Sequence, residues 1–135
     1  MIKETIIISL GGSLVAPNEI DAGFLKNFRY CLQKYLGKRR FFIYVGGGKV
    51  ARLYQKALLE FGADDADRDW LGINVTRLNA EIVKQAFIKN SYLKVITDPT
   101  KKINTRKDIL VAAGWKPGWS TDYCSVIMAK NSGLK

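Results

Sequence analysis

Phe41-Phe42-Ile43-Tyr44-Val45-Gly46-Gly47-Gly48-Lys49-Val50-Ala51-Arg52 is the stretch that decides the fold. Its first five residues are an unbroken run of β-favouring apolar side chains, which reads as a strand buried on both faces, and such strands belong to parallel sheets. Three glycines then strip the chain of Cβ atoms, and a helical pattern starts immediately. Working outward, the same design recurs on both sides. Residues 5–10 form an apolar run that ends in Gly11-Gly12-Ser13, and residues 109–113 form another that ends in Gly114-Trp115-Lys116-Pro117-Gly118-Trp119-Ser120-Thr121-Asp122.

Helices are expected in between. Asp21 is positioned as an N-cap, Phe24, Leu25, Phe28, Leu32, Tyr35 and Leu36 follow at helical spacing, and Gly37 supplies a stop. A second helix after Lys49 carries Leu53, Tyr54, Ala57, Leu58 and Phe61 on one side and closes at Gly62. A longer one places Leu71, Val75, Leu78 and Ile82 along a stripe with a polar face opposite. Residues 93–97 read as a further strand, Pro99 and residues 100–102 as a basic connector, and a last helix runs through Val126, Ile127 and Ala129. Strand and helix alternate throughout, which predicts an α/β protein: a layered, mostly parallel sheet with helices on both faces. No repeat, low-complexity tract or linker interrupts it.

A chain of 135 residues, 47% hydrophobic and 25% charged, is sized for one domain with a real core. The formal charge of +10 favours anionic partners. Nucleic acid is the less favoured of these, because Lys38-Arg39-Arg40, Lys101-Lys102 and Arg106-Lys107 have no interleaved aromatic residues to stack bases. The apolar run at residues 6–10 is too short for a membrane span or a signal peptide, so a cytoplasmic protein is expected. Cys31 and Cys124 lie far apart and histidine is absent, so reduced thiols and no metal-ligand set are expected. Asn74-Val75-Thr76 fits the glycosylation pattern by chance. Residues 131–135 read as a helix end followed by the start of another strand. The expected organisation is therefore residues 1–135 as the N-terminal part of one domain, truncated at its C-terminus, with a sheet edge left apolar; an intact small domain is the alternative.

In open α/β sheets ligands bind beyond the carboxyl ends of the strands. Glycine loops let backbone N–H groups crowd around phosphate oxygens, and the next helix presents its positive end. Lys49 and Arg52 add a point charge and a planar fork. Two familiar nucleotide motifs do not account for this. Gly46-Gly47-Gly48-Lys49-Val50-Ala51 fits G-x-G-x-x-A, but the acidic residue that should end a second strand is replaced by Asp67 and Asp69 before a helix. The pattern G-x-x-x-x-G-K-[ST] is absent.

Taken in order, Ile8-Ser9-Leu10-Gly11-Gly12-Ser13, Val45-Gly46-Gly47-Gly48-Lys49-Val50-Ala51-Arg52, Gly72-Ile73 with Thr76-Arg77-Leu78-Asn79-Ala80, and Pro117-Gly118 with Ser120-Thr121-Asp122 resemble the amino acid kinase family. The third and fourth segments are similar to those of archaeal-type uridylate (UMP) kinases rather than acetylglutamate, carbamate or aspartate kinases. Isopentenyl phosphate kinases use an active-site histidine, which this chain lacks. The resemblance implies an amino acid kinase fold, ATP with Mg²⁺ as co-substrate, UMP as acceptor, and a homo-oligomer. It implies ATP contacts at Gly12, Ser13, Gly48 and Arg52, and UMP contacts at Gly47, Asp69, Trp115, Lys116, Pro117, Gly118, Trp119, Ser120 and Thr121. Lys49 and Arg52 are the expected catalytic cations. The sequence departs from the family where Gly-Gly-Thr-His becomes Ala113-Gly114-Trp115-Lys116, where a histidine becomes Trp119, and where Ser9 stands near the lysine of bacterial members. Another acceptor within the family, or a non-catalytic nucleotide- or RNA-binding half-domain, are the alternative functions.

Overall fold

The computed structural model describes residues 3–132. Three strands, β1 (Glu4–Leu10), β2 (Arg39–Val45) and β3 (Ile109–Ala112), pair in parallel in that spatial order, with Leu10 opposite Val45 and Phe41 opposite Ile109. Parallel neighbours require crossovers. Helices α1 (Gly12–Val15) and α2 (Ala22–Gln33) make the first, and α3 (Gly48–Glu60) and α4 (Asp65–Ala86) lie in the second; α5 (Thr121–Asn131) follows β3.

Strand alternation sorts the apolar residues into two layers. Phe41, Ile43, Val45, Ile109 and Val111 face Leu25 and Leu32 of α2 and Ala80 and Val83 of α4. Phe42, Tyr44, Leu110 and Ala112 face Cys124 and Met128 of α5. The sheet therefore has helices on both faces, as the alternating pattern predicts. Three helices begin on side-chain caps: Asp21 accepts from the Phe24 N–H, Asp64 from Asp67 and Ser120 from Tyr123. β1 pairs with β2 along one edge only, and Ile6, Ile7 and Ile8 remain half-buried.

Four local expectations need correction. Residues 93–97 do not form a regular strand. Within the segment only Ile96 bridges β3, at Ala112; the other bridge, Ser91 to Ile109, precedes it, and Leu93 between them is 74% exposed. Lys84 Nζ donates to the Leu93 carbonyl, which takes that group out of the ladder. Helix α2 ends at Gln33 rather than at Gly37: Tyr35 donates to Leu32 O in a tighter turn, and Leu36 already bridges Arg39. On α3, Leu53, Tyr54, Ala57 and Phe61 are exposed and only Ala51 is fully buried. On α4 the anticipated stripe is rotated: Val75 is buried, but Leu78 is 66% exposed, and Thr76, Asn79, Ala80 and Val83 take the inner face. Hydrogen bonds to the loops described next compensate the burial of those two polar residues.

Candidate functional site

The loops after β1, β2 and β3 meet at the carboxyl edge of the sheet. The first two are in backbone contact. A Cβ on Gly12 would lie 2.3 Å from the Gly46 carbonyl oxygen, and one on Gly48, whose φ is +60°, would lie 2.3 Å from Ser13 N. No side chain fits at either position. The Ser13 hydroxyl accepts from Lys49 N–H at 3.0 Å, and Gly46 N–H donates to Leu10 O at 2.9 Å, so the loops are also stitched together.

Helix α4 ties the third loop to them. Asn79 Nδ2 donates to Gly46 O at 3.0 Å. Thr76 Oγ1 accepts from Gly114 N–H at 2.8 Å while donating to Ile73 O at 2.7 Å. Arg77 reaches the same loop, Nε to Gly114 O at 3.2 Å and Nη2 to Trp115 O at 2.9 Å. The motif Thr76-Arg77-Leu78-Asn79 is thus a clamp of three polar side chains, two of them buried. Sequence reasoning marked this segment for its resemblance and assigned it no physical role. Three short or forked polar side chains within one helical turn were the available signal.

Between α3, α4 and the third loop lies a cavity of about 490 Å³. Gly47, Gly48, Arg52, Asp69, Lys116, Pro117, Gly118, Trp119, Ser120 and Thr121 all line it, and Ala51, Gln55, Gly72, Ile73, Thr76 and Gly114 complete its wall. Gly12 and Ser13 stand behind Gly48, outside the lining. Lys49 is exposed and also outside, its Nζ donating to Asn18 Oδ1 at 3.1 Å, so Arg52 is the cation that α3 delivers to the cavity. Trp115 turns away from it and packs edge-on against Trp119 at 4.8 Å, and Trp119 in turn meets Tyr123 at 4.8 Å. Lys116 Nζ sits 4.2 Å from the Trp115 ring centre and 5.6 Å from that of Trp119, within cation–π range.

Ser120 spends one lone pair on capping α5, leaving its hydroxyl hydrogen to donate. Ser9 Oγ donates to Asp122 Oδ1 at 2.6 Å, joining the end of β1 to the start of α5. Below the tryptophans, Tyr44 is buried, its hydroxyl without a partner among the described residues. Burial first, then Cys124 and Asp98, push its ionisation well up, and burial likewise raises the Cys124 thiol. The cationic side chains at the mouth of the cavity are Arg52 and Lys116.

Glycine loops converging at the carboxyl edge of a parallel sheet, on a cavity lined by Arg52 and Lys116, define an α/β protein with an anion-favouring site. Residues 4–131 match the amino acid kinase family, and the chain belongs to it. It is 38% identical over 131 residues to a uridylate kinase of Methanospirillum hungatei, covering 96% of this chain and 55% of that protein. A uridylate kinase of Pyrococcus abyssi is 36% identical, with 95% of this chain and 58% of that protein covered. Among solved structures, uridylate kinase from Archaeoglobus fulgidus superposes with a TM-score of 0.83 at 32% identity, over 97% of this chain and 59% of that one. The chain thus spans a little over half the length of these relatives. None of the helices among the described residues is long and apolar enough to cross a membrane.

Proposed function

We propose that the cavity is the acceptor side of a UMP kinase site, in which the γ-phosphoryl group of ATP passes to UMP to give UDP. One observation carries the reading. Gly47, Asp69 and residues 116–121, which the resemblance assigns to UMP, line a single cavity together with Gly48 and Arg52, which it assigns to ATP. These residues come from three separate stretches of sequence, and random placement would scatter them.

Both reactants are polyanions, so the protein's task is positioning and charge compensation rather than covalent chemistry. UMP occupies the space between Asp69 and the 116–121 loop, with Asp69 accepting a hydrogen bond from the ribose or base and the Ser120 and Thr121 hydroxyls donating to phosphate. The backbone N–H groups of residues 12, 13 and 48 face the ATP phosphates, and the Ser13 hydroxyl, accepting from the Lys49 N–H, holds the two loops in place for it. Arg52, on the first turns of α3, lies at the seam between donor and acceptor, where its fork can compensate charge on the transferring group. Lys49 contributes to the donor side once released from Asn18. ATP enters as its Mg²⁺ complex, the ion being held by phosphates and water as that ion prefers. The portion of the relatives beyond the matched half supplies most of the adenine pocket. The resemblance also implies that copies associate into a homo-oligomer.

A second acceptor within the family is favoured by one feature, the Lys116, Trp115 and Trp119 cluster where its members carry other residues. The test is a phosphoryl-transfer panel on the chain extended to the relatives' full length, offering UMP, acetylglutamate, carbamate and isopentenyl phosphate. UMP is expected to be the preferred acceptor. Turnover of a carboxylate or isoprenoid acceptor with none of UMP reassigns the branch, and saturable RNA binding without turnover favours the non-catalytic half-domain.

A further inference from the structure

A second cavity, of about 270 Å³, lies on the α5 face toward the opposite end of the sheet. Thr5 at the start of β1 and Arg40 at the start of β2 line it, whereas the kinase cavity sits beyond the ends of these strands. At about 3.3 Å per residue, a seven-residue strand such as β2 separates the two by roughly 20 Å. Three cations line the pocket, Arg40, Lys101 and Lys102, with the Ser132 hydroxyl beside them, and no carboxylate does.

These cations are not consumed elsewhere. The ion pairs among the described residues use Lys3, Arg39, Arg68 and Lys84. Arg40 donates through Nη2 to Thr105 O at 2.5 Å, but its buried Nε–H has no acceptor among the described residues. A buried, charged donor without a partner is costly, and an anion would satisfy it. Two carboxylates sense this charge, Asp108 that of Arg40 and Asp98 that of Lys101. Both are already engaged, Asp108 by Lys3 and the Gly37 N–H, Asp98 by Thr100. Phe42, Ile103 and Met128 form an apolar part of the wall, and Thr5 and Asn131, whose Nδ2 donates to Pro99 O, complete it.

From this geometry we propose that the pocket binds a small phosphate monoester, its dianionic head held by Arg40, Lys101 and Lys102 and its apolar body laid on Phe42 and Met128. The site is independent of the activity at the other edge. Inorganic phosphate shares the head-group chemistry but has no body for the apolar wall, so it binds more weakly than an aryl ester.

The experiment is a calorimetric titration of the chain in phosphate-free buffer with phenyl phosphate and, separately, inorganic phosphate. The methyl resonance of Met128 serves as the local reporter. Lys101→Gln with Lys102→Gln changes two exposed side chains, so folding is preserved, and its melting temperature checks that. Phenyl phosphate is expected to shift the Met128 signal saturably. The double variant is expected to weaken that binding about tenfold, and Arg52→Ala at the other cavity to leave it unchanged. An unmoved Met128 signal at millimolar ligand, or a loss caused by Arg52→Ala and not by the lysine changes, overturns the site. Equal affinity for inorganic phosphate overturns the monoester assignment.

Discussion

Replacing Thr76 by valine keeps the outline of the side chain and removes one oxygen. That oxygen is the acceptor for the Gly114 N–H in a buried setting, and an orphaned buried donor costs about 1–3 kcal/mol. Thr76→Val is therefore expected to lower thermal stability by that amount, whereas Thr76→Ser, which keeps the oxygen, recovers most of it. Equal melting temperatures for the two variants would show that the hydroxyl does not clamp the loop. Asp69→Ala tests the cavity from the other side. It is expected to weaken UMP by about 1–3 kcal/mol and spare ATP, while Arg52→Ala chiefly weakens ATP or turnover; matched titrations of both nucleotides separate the two effects. Gly47, Gly48 and Arg52 were legible because glycine after a strand and a cation at the next helix start have a direct physical reading, whereas Asp69 and residues 116–121 were named through the family resemblance. Thr76 and Asn79 were not, because a hydroxyl and an amide on a helix look like solvent-facing residues until the loops they bond are in place.

At the scale of elements, the glycine loops make the sharpest demand. A methyl group on Gly12 would meet the Gly46 carbonyl and the Gly47 and Gly48 backbone at 2.3 to 2.6 Å, and backbone cannot rotate aside as a side chain can. Gly12→Ala is expected to push the first two loops apart, destabilise by about 1–3 kcal/mol or more, and weaken nucleotide binding. Gly11→Ala is the control, since nothing lies within 4 Å of its added carbon. Denaturation midpoints of the pair check this. Strands β1, β2 and β3 were readable in advance because burial on both faces demands continuous apolar runs. The segment at residues 93–97 has β-favouring apolar residues but forms only one bridge, Ile96 to Ala112, because pairing depends on where the edge of β3 lies, which composition does not encode. The helices failed differently. Leu53, Leu78 and Ile82 follow helical periodicity faithfully, yet periodicity identifies an apolar side without saying whether that side meets this chain's own sheet.

For the molecule as a whole, Asp108 couples the start of the sheet to pH. It accepts from Lys3 Nζ at 2.6 Å and from the Gly37 N–H at 2.8 Å, while its own carbonyl accepts from Phe41 N–H. Burial raises its ionisation point, but the hydrogen bonds from Lys3 and Gly37 outweigh that and hold it below the ordinary 3.8. A depressed carboxylate pKa stabilises the fold fully above the unfolded value and loses that contribution as pH falls through the folded one. Wild type is thus expected to be more stable than Asp108→Asn at neutral pH, with the gap closing below about pH 4; a gap that stays constant with pH would mean the carboxylate's charge plays no part. The one-sided pairing of β1 leaves a trace of a different kind. Leu10 O bonds to Gly46 N–H, and by strand alternation the N–H groups of Ile6, Ile8 and Leu10 point toward β2 while those of Thr5, Ile7 and Ser9 point outward, where no strand of the described residues meets them. In deuterated solvent this strand should carry a two-residue rhythm, slow and fast amides in alternation. If the rhythm disappears when further polypeptide or another molecule is added, the previously fast amides will identify the edge it has covered.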